Sequence, residues 1–263
     1  MKNFVIAAFF VLSVTSTFID TETASAYNGS NLGISLGLNE YQVKENVLNR
    51  IRHNGLLFST GVYHETNTSE THRKTNFNFI VNTMKSRYEA DNASFATNLF
   101  LTYNYLGKIS DIRNDTSYYL GGTLGTDIHL TYFNNWDESH FFWMTSYFLG
   151  LDTIITHDLQ GRGTFDVEMC IPIISLISRP PKRFLYKEGK ADFGWFLDKI
   201  HENLKVTSLN RHAALYINTG YTFKYAKRFK NRIEWKFCYV NNRMNYSEPL
   251  HVLYHTVGLS FIF

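Results

Sequence analysis

From Tyr118 to Tyr132 apolar and polar positions alternate. Tyr118, Leu120, Leu124, Ile128, Leu130 and Tyr132 occupy even positions together with Gly122 and Thr126, while the odd positions Gly121, Thr123, Gly125, Asp127, His129 and Thr131 are small or polar. A period of two puts these sets on opposite faces of a β-strand. The split recurs as Phe77, Phe79 and Val81 against Asn76, Asn78 and Asn82, and as Phe95, Leu99, Leu101, Tyr103 and Tyr105 against Ser94, Asn98, Thr102 and Asn104. Phe165, Val167, Met169 and Ile171 alternate with Asp166, Glu168 and Cys170; Leu215, Ile217, Tyr221 and Phe223 with His212, Tyr216, Asn218 and Lys224; Ile233, Trp235, Phe237 and Tyr239 with Arg232, Glu234, Lys236 and Cys238. The pattern predicts ten strands, near 30–38, 55–66, 73–87, 94–106, 117–133, 139–158, 161–175, 207–225, 231–246 and 250–263.

Several of these segments exceed the roughly 5–6 residues of an ordinary strand and reach the roughly 9–11 that cross a bilayer at a tilt. Their apolar faces carry no charge. Strands three to six show Asn, Ser, Thr, Gly and Tyr on the other face, not the Lys and Glu that a soluble sandwich turns to water. A lipid-facing barrel with a narrow polar interior has this pattern. A secreted soluble barrel, with its apolar faces turned inward around an apolar ligand, is the rival reading of the same alternation.

Composition sharpens the picture. Aromatic residues make up 16% of the chain and charged ones 19%, which places many aromatics at an interface instead of in a core. The net charge of +3 comes without a long basic block, which argues against a nucleic-acid partner. Residues 1–26 read as a secretory signal, with Lys2 at the n-region, an apolar stretch from Phe4 to Val14 and a small-x-small site at Ala24-Ser25-Ala26. No later run approaches the roughly 20 apolar residues of a spanning helix, so the alternation excludes a helical membrane protein but not a barrel.

The final strand puts Leu253, Val257, Leu259, Phe261 and Phe263 on one face and ends on an aromatic. With the signal and the alternation, this resembles the bacterial outer-membrane β-barrel proteins, whose last strand commonly ends in Phe. The resemblance implies an all-β fold: a single antiparallel transmembrane β-barrel over residues 27–263, of about ten strands with 8 or 12 as alternatives. It implies location in the Gram-negative outer membrane, contact with outer-membrane lipid, and recognition by the barrel-assembly machinery through Phe263. Both termini then lie in the periplasm. The connections near 39–54, 88–93, 134–138, 176–206 and 241–249 face outward, and the long fourth one, with a short helix expected over 193–204, caps the mouth.

Candidate chemistry is sparse. In the outer loops, the stretch from Lys44 to His53, with Arg50 and Arg52, is basic and is a candidate contact for anionic lipopolysaccharide or a protein partner, though an ordinary solvated loop face has the same composition; Trp136, Asp137, Glu138 and His140 gather polar groups with a Trp and are a candidate contact for a protein partner. Asp127, His129, Ser139 and the loop acids are an inventory a surface hydrolase could use, but nothing in their spacing fixes a triad, so no catalytic residue is assigned. No ligand spacing suggests a metal, and no cofactor is implied. Arg162, Asp166, Glu168, His212, Lys224, Arg232, Glu234 and Lys236 share the inward face and are read as an ion-pair network filling the lumen. Cys170 and Cys238 face inward two strands apart, about 9.6 Å, beyond the roughly 7 Å that a disulfide spans, so free thiols are expected. The function expected is structural, docking or accessory with a filled lumen; the alternatives are a small pore or transporter and a lipid- or peptide-hydrolysing barrel enzyme.

Assembly offers a direct check. Deleting Phe263 is expected to impair insertion but not export, read by fractionation and by heat-modifiable gel migration; normal insertion without it refutes the terminal signal. Leu259→Arg is expected to place a charge in the apolar band, costing about 2–4 kcal/mol, while Ser260→Arg, directed at a charged lumen, is expected to be tolerated better.

Overall fold

A strand facing lipid has no water for its backbone N–H and C=O groups, so both its edges must be paired. The chain satisfies this by closing a ring. The computed structural model describes residues 29–45, 53–86, 94–113, 115–133, 140–159, 163–179, 184–185, 204–226, 229–243 and 249–263. Its strands are β1 (Gly29–Glu45), β2 (His53–Asn67), β3 (Thr71–Ser86), β4 (Ser94–Arg113), β5 (Thr116–Phe133), β6 (His140–Asp158), β7 (Thr164–Ser178), β8 (Phe184–Leu185), β9 (Lys205–Ser208), β10 (His212–Ala226), β11 (Phe229–Asn242) and β12 (Leu250–Ile262).

Antiparallel ladders join β1 through β7 in sequence order, then β7 to β10, β10 to β11, β11 to β12 and β12 back to β1. The ring therefore has ten strands. Short β8 and β9 add to the same end of β6 and β7. From Thr60 the paired residues run through Phe79, Leu99 and Ile128 to Thr145 in one direction. In the other they run through Leu36, Leu259, Ile233, Tyr221 and Phe165 to His157. Both routes end on β6, twelve residues apart, which is the shear of the barrel. A ten-stranded barrel with that shear tilts its strands within the usual range of roughly 35–45°.

The faces divide as the alternation predicts. Phe58, Leu36 and Val257 expose 71%, 56% and 60% of their surface on the outside, while Ser35, Asn39, Asn98 and Thr256 are buried inside. Polar side chains inside and large apolar ones outside are the arrangement of a transmembrane barrel. This overturns the soluble alternative, which requires the reverse.

Three boundaries differ from the sequence reading. β4, expected to end near 106, runs on to Arg113, its ladder with β5 continuing through register shifts at Lys108/Ser110 and Asp111/Arg113. The apolar alternation of β1 ends at Leu38, but its ladder with β12 continues from Asn39↔Thr256 to Glu45↔Leu250; cross-strand pairing, not outward hydrophobicity, sets its length. The strand expected over 207–225 is two pieces, β9 and β10, separated by a turn at 209–211. Opposite that turn β7 is irregular, pairing Leu149↔Ile174 but Gly150↔Pro172, and Pro172 has no N–H to contribute. The helix expected over 193–204 falls almost wholly outside the described residues.

The expectation for Ser260 also changes. Its side chain is fully buried and donates to Glu234 Oε1 at 3.1 Å, so Ser260→Arg overpacks a closed interior and is no control for Leu259→Arg. The structure supplies a better pair on the same face of β12. Val257→Arg should abolish heat-modifiable folding in bilayers, whereas His251→Arg, beyond the apolar band, should leave it unchanged; equal behaviour of the two would refute the register.

Candidate functional site

The inner half of the lumen, toward the chain termini, is built around Arg232 on β11. Its guanidinium grips Asp166 of β7 with both terminal nitrogens, Nη2 donating to Oδ2 at 2.7 Å, and Nε lies 3.7 Å from Glu234. The planar fork matches a carboxylate two-pronged. Room for it comes from β10, where a Cβ at Gly220 would stand 2.1 Å from the Arg232 guanidinium carbon. Glu234 also accepts from Lys236 at 2.9 Å, and Lys236 donates to Asn78 Oδ1 at 2.9 Å.

A second centre adjoins it. Lys74 of β3 donates to Glu168 Oε2 at 2.6 Å, with the Tyr63 ring 5.9 Å from its Nζ. Asn104 of β4 bridges two carboxylates, donating to Asp152 and, at 2.7 Å, to Glu168 Oε1; Thr123 donates to Asp152 at 2.8 Å and Asn218 to Glu168 at 3.3 Å. Lys74, Asp152 and Asn104 were not singled out from sequence, although Lys74 shares its face with Asn76 and Asn78 and Asp152 alternates with Leu149 and Leu151.

The outer half is different. Tyr41, Val43, Met84, Phe142, Met144, Ile177, Val240, Leu250 and Val252 pack into one buried apolar cluster across the lumen. The sequence carried a trace of it in Phe142-Trp143 and in Tyr239-Val240, where two neighbouring residues, one on each face, are both apolar. Between the two halves lies a cavity of about 60 Å³, lined among others by Asn78, Phe100, Glu168, Cys170, Tyr216 and Lys236. That is room for a few waters and not for a solute path.

Asp127 and His129 lie beneath the apolar cluster and are fully buried. His129 Nε2 is 3.0 Å from Asp127 Oδ2, which also accepts from the Tyr216 hydroxyl at 2.7 Å; Asn98 donates to Oδ1 at 2.6 Å, and the Tyr41 hydroxyl is 3.1 Å from His129 Nδ1. Neither residue sits at a rim where a substrate could arrive. The pair is a buried polar tie between β5, β4, β10 and β1.

Of the predicted lumen charges, Asp166, Glu168, Arg232, Glu234 and Lys236 come together as described. His212 is a correction. It is buried and faces inward, but it sits at the outer end of β10, eight residues from Gly220, about 27 Å along the strand. Its partner is Asn242 at 3.2 Å, itself held by Arg179 at 3.0 Å. Arg162, Arg50, Arg52, Trp136, Asp137 and Glu138 lie outside the described residues, as do the side chains of Lys224 and His140; the His140 backbone pairs with Phe133 and Leu185. Among the described residues no group of three or more metal-ligating side chains is present. Cys170 and Cys238 are buried free thiols, and both pair across the sheet with Tyr216, which stands between them on β10.

No protein-family model matches this sequence, and no curated protein does. Solved structures similar in fold include the outer membrane protease OmpT from Escherichia coli, at 10% identity and a TM-score of 0.49 over 93% of this chain and 99% of that one. The translocator domain of the autotransporter NalP from Neisseria meningitidis follows at 7% and 0.44, covering 98% and 95%. Ail, the attachment invasion locus protein of Yersinia pestis, gives 12% and 0.33, covering 89% and 99%. Likeness at this level carries no argument about role; the barrel rests on its own hydrogen-bonded ring.

Two measurements check the interior. Arg232→Ala leaves Asp166 and part of Glu234 buried without their cation and should cost about 3–5 kcal/mol of stability, read as a lowered urea midpoint of the heat-modifiable form; a change under about 1 kcal/mol would refute the tie. Thiol titration should find no reactive cysteine in the folded barrel and two per chain after denaturation, with no mobility shift on a non-reducing gel.

Proposed function

We propose that the chain is an outer-membrane β-barrel that acts from its surface, in a structural, docking or accessory role, and that its lumen does not conduct. One observation carries this reading: among the described residues the interior is crossed by an ion-pair layer and an apolar layer, with a cavity of about 60 Å³ between them. A conducting barrel keeps a continuous polar path, and an apolar layer across the bore opposes ions and solutes alike. The small-pore alternative therefore loses support. The hydrolase alternative loses its Asp127–His129 pair to burial; its remaining groups are the loop residues around Trp136.

The outer-membrane assignment draws on the apolar exterior, on the seating of Phe263 and on the signal-like residues 1–26. Phe263 closes the ring at the inner end, exchanging backbone hydrogen bonds with Leu32 at 2.8 and 3.2 Å, with its ring exposed on the lipid side. Mature protein recovered from outer-membrane fractions should begin at Tyr27.

Purified barrel in planar bilayers should give no stable single-channel steps. Stable conductance from the unaltered protein would refute the closed-lumen reading, and recovery of the mature chain only in soluble fractions would refute the compartment.

A further inference from the structure

The outer surface is not uniform around the ring. On β4 and β5 the outward face is uncharged to the outer end and finishes on aromatic rings, Phe95 and Tyr132. On β1 it turns polar after Leu38, through Glu40, Gln42 and Lys44; on β3 it does so after Val81, through Thr83 and Lys85; on β12 it ends at His251. The polar sector of the wall is thus formed by adjoining strands.

Its charge is one-sided. Lys44 pairs across the sheet with His251, and the charges of Lys44 and Arg243 both bear on that imidazole. Arg243, just beyond β11, joins Arg211 through a backbone hydrogen bond of 2.7 Å. Lys85 lies two strands from β1, through Gln42↔Asn54 and Asn54↔Lys85. None of Lys44, Lys85, Arg211 and Arg243 has a carboxylate partner among the described residues. Among the described side chains the sector's acid is Glu40, which lies lower and is taken by His255 at 2.9 Å. The inner rim mixes both signs, with Glu70, Asp111, Asp115 and Asp158 near its turns beside Arg73, Lys108 and Lys230, and Lys108 pairs with Asp111 at 2.7 Å.

Cations with no carboxylate partner among the described residues, set where an apolar band ends, meet the headgroup layer of the membrane, where a fixed anion is their natural counter-charge. We propose that Lys44, Lys85, Arg211, Arg243 and His251 form a site on the outer rim for the phosphates of the phosphorylated glycolipid of the outer leaflet. The inference rests on the outer-membrane reading. Five strand ends, β10, β11, β12, β1 and β3, contribute to it, so a lipid held by Lys44, Arg211, Arg243 and His251 spans the seam at which the first and last strands close the ring.

The test uses the mature barrel refolded in detergent and titrated with bisphosphorylated lipid A, with the same lipid after phosphate removal, and with inorganic phosphate. The bisphosphorylated form should bind about tenfold tighter than the dephosphorylated one, and the preference should shrink as salt rises. In Lys44→Ala/Arg211→Ala/Arg243→Ala the preference should vanish, while Arg73→Ala and Lys230→Ala at the inner rim should retain it. Equal affinity for the two lipids, retention of the preference by the triple variant, or equal binding of free inorganic phosphate would each overturn the site. Heat-modifiable migration, measured on the same samples, separates the failures: a chain that does not fold into bilayers sinks the outer-membrane reading and the site together, and a folded one without the preference sinks the site alone.

Discussion

The pairing of β1 with β12 is the contact on which everything else depends. Nine of the ten ring ladders leave an open sheet whose two edges would expose unpaired backbone groups to hydrocarbon, and no side chain could compensate for a whole edge. The ladder from Gly33↔Ile262 to Glu45↔Leu250 removes both edges at once. It joins the beginning of the described chain to its end, so it forms the contact of largest sequence separation and cannot precede the synthesis of the last strand.

Closure at ten strands with this shear fixes a narrow bore, and the inward residues then decide what fills it. Nature of the filling changes along the axis. Toward the termini, long charged side chains from β3, β7 and β11 reach across and satisfy one another, and Gly220 and Gly33 thin the wall where the Arg232 guanidinium and the Tyr63 ring lie. Toward the outer end, apolar side chains meet at the centre as they would in a water-soluble core. Buried ion pairs add little net stability over apolar packing, yet each pair has a single set of partners. The charged layer thus ties particular strands to particular neighbours across the bore, and the apolar layer excludes water.

The fold was largely legible because its signal is local. Alternation marked most of the strands to within a few residues, and the pattern Leu253, Val257, Leu259, Phe261 placed the last strand in its observed register. What escaped depended on contacts between distant strands. The end of β1 is decided by Val252 and Tyr254 opposite Val43 and Tyr41, not by Glu40 and Lys44 on its own outer face. Parity along β10 showed His212 pointing inward, but only the ladders show that it stands at the other end of the barrel from Arg232. Lys74 and Asp152 each looked like an isolated charge, and their meaning appears when β3 and β6 are brought to opposite sides of Glu168. Likewise the apolar plug is divided among strands that each contribute one or two residues.

Tyr216 standing between Cys170 and Cys238 has a consequence for the chain in transit. Once the ring is closed, the two sulfurs are held apart by a strand and hidden from solvent, so an oxidising compartment cannot join them. Before closure nothing keeps them apart, and a crosslink between residues 170 and 238 would clamp β7 to β11 with β10 looped out. The interval before closure is therefore the chain's period of chemical vulnerability, and closure itself ends it.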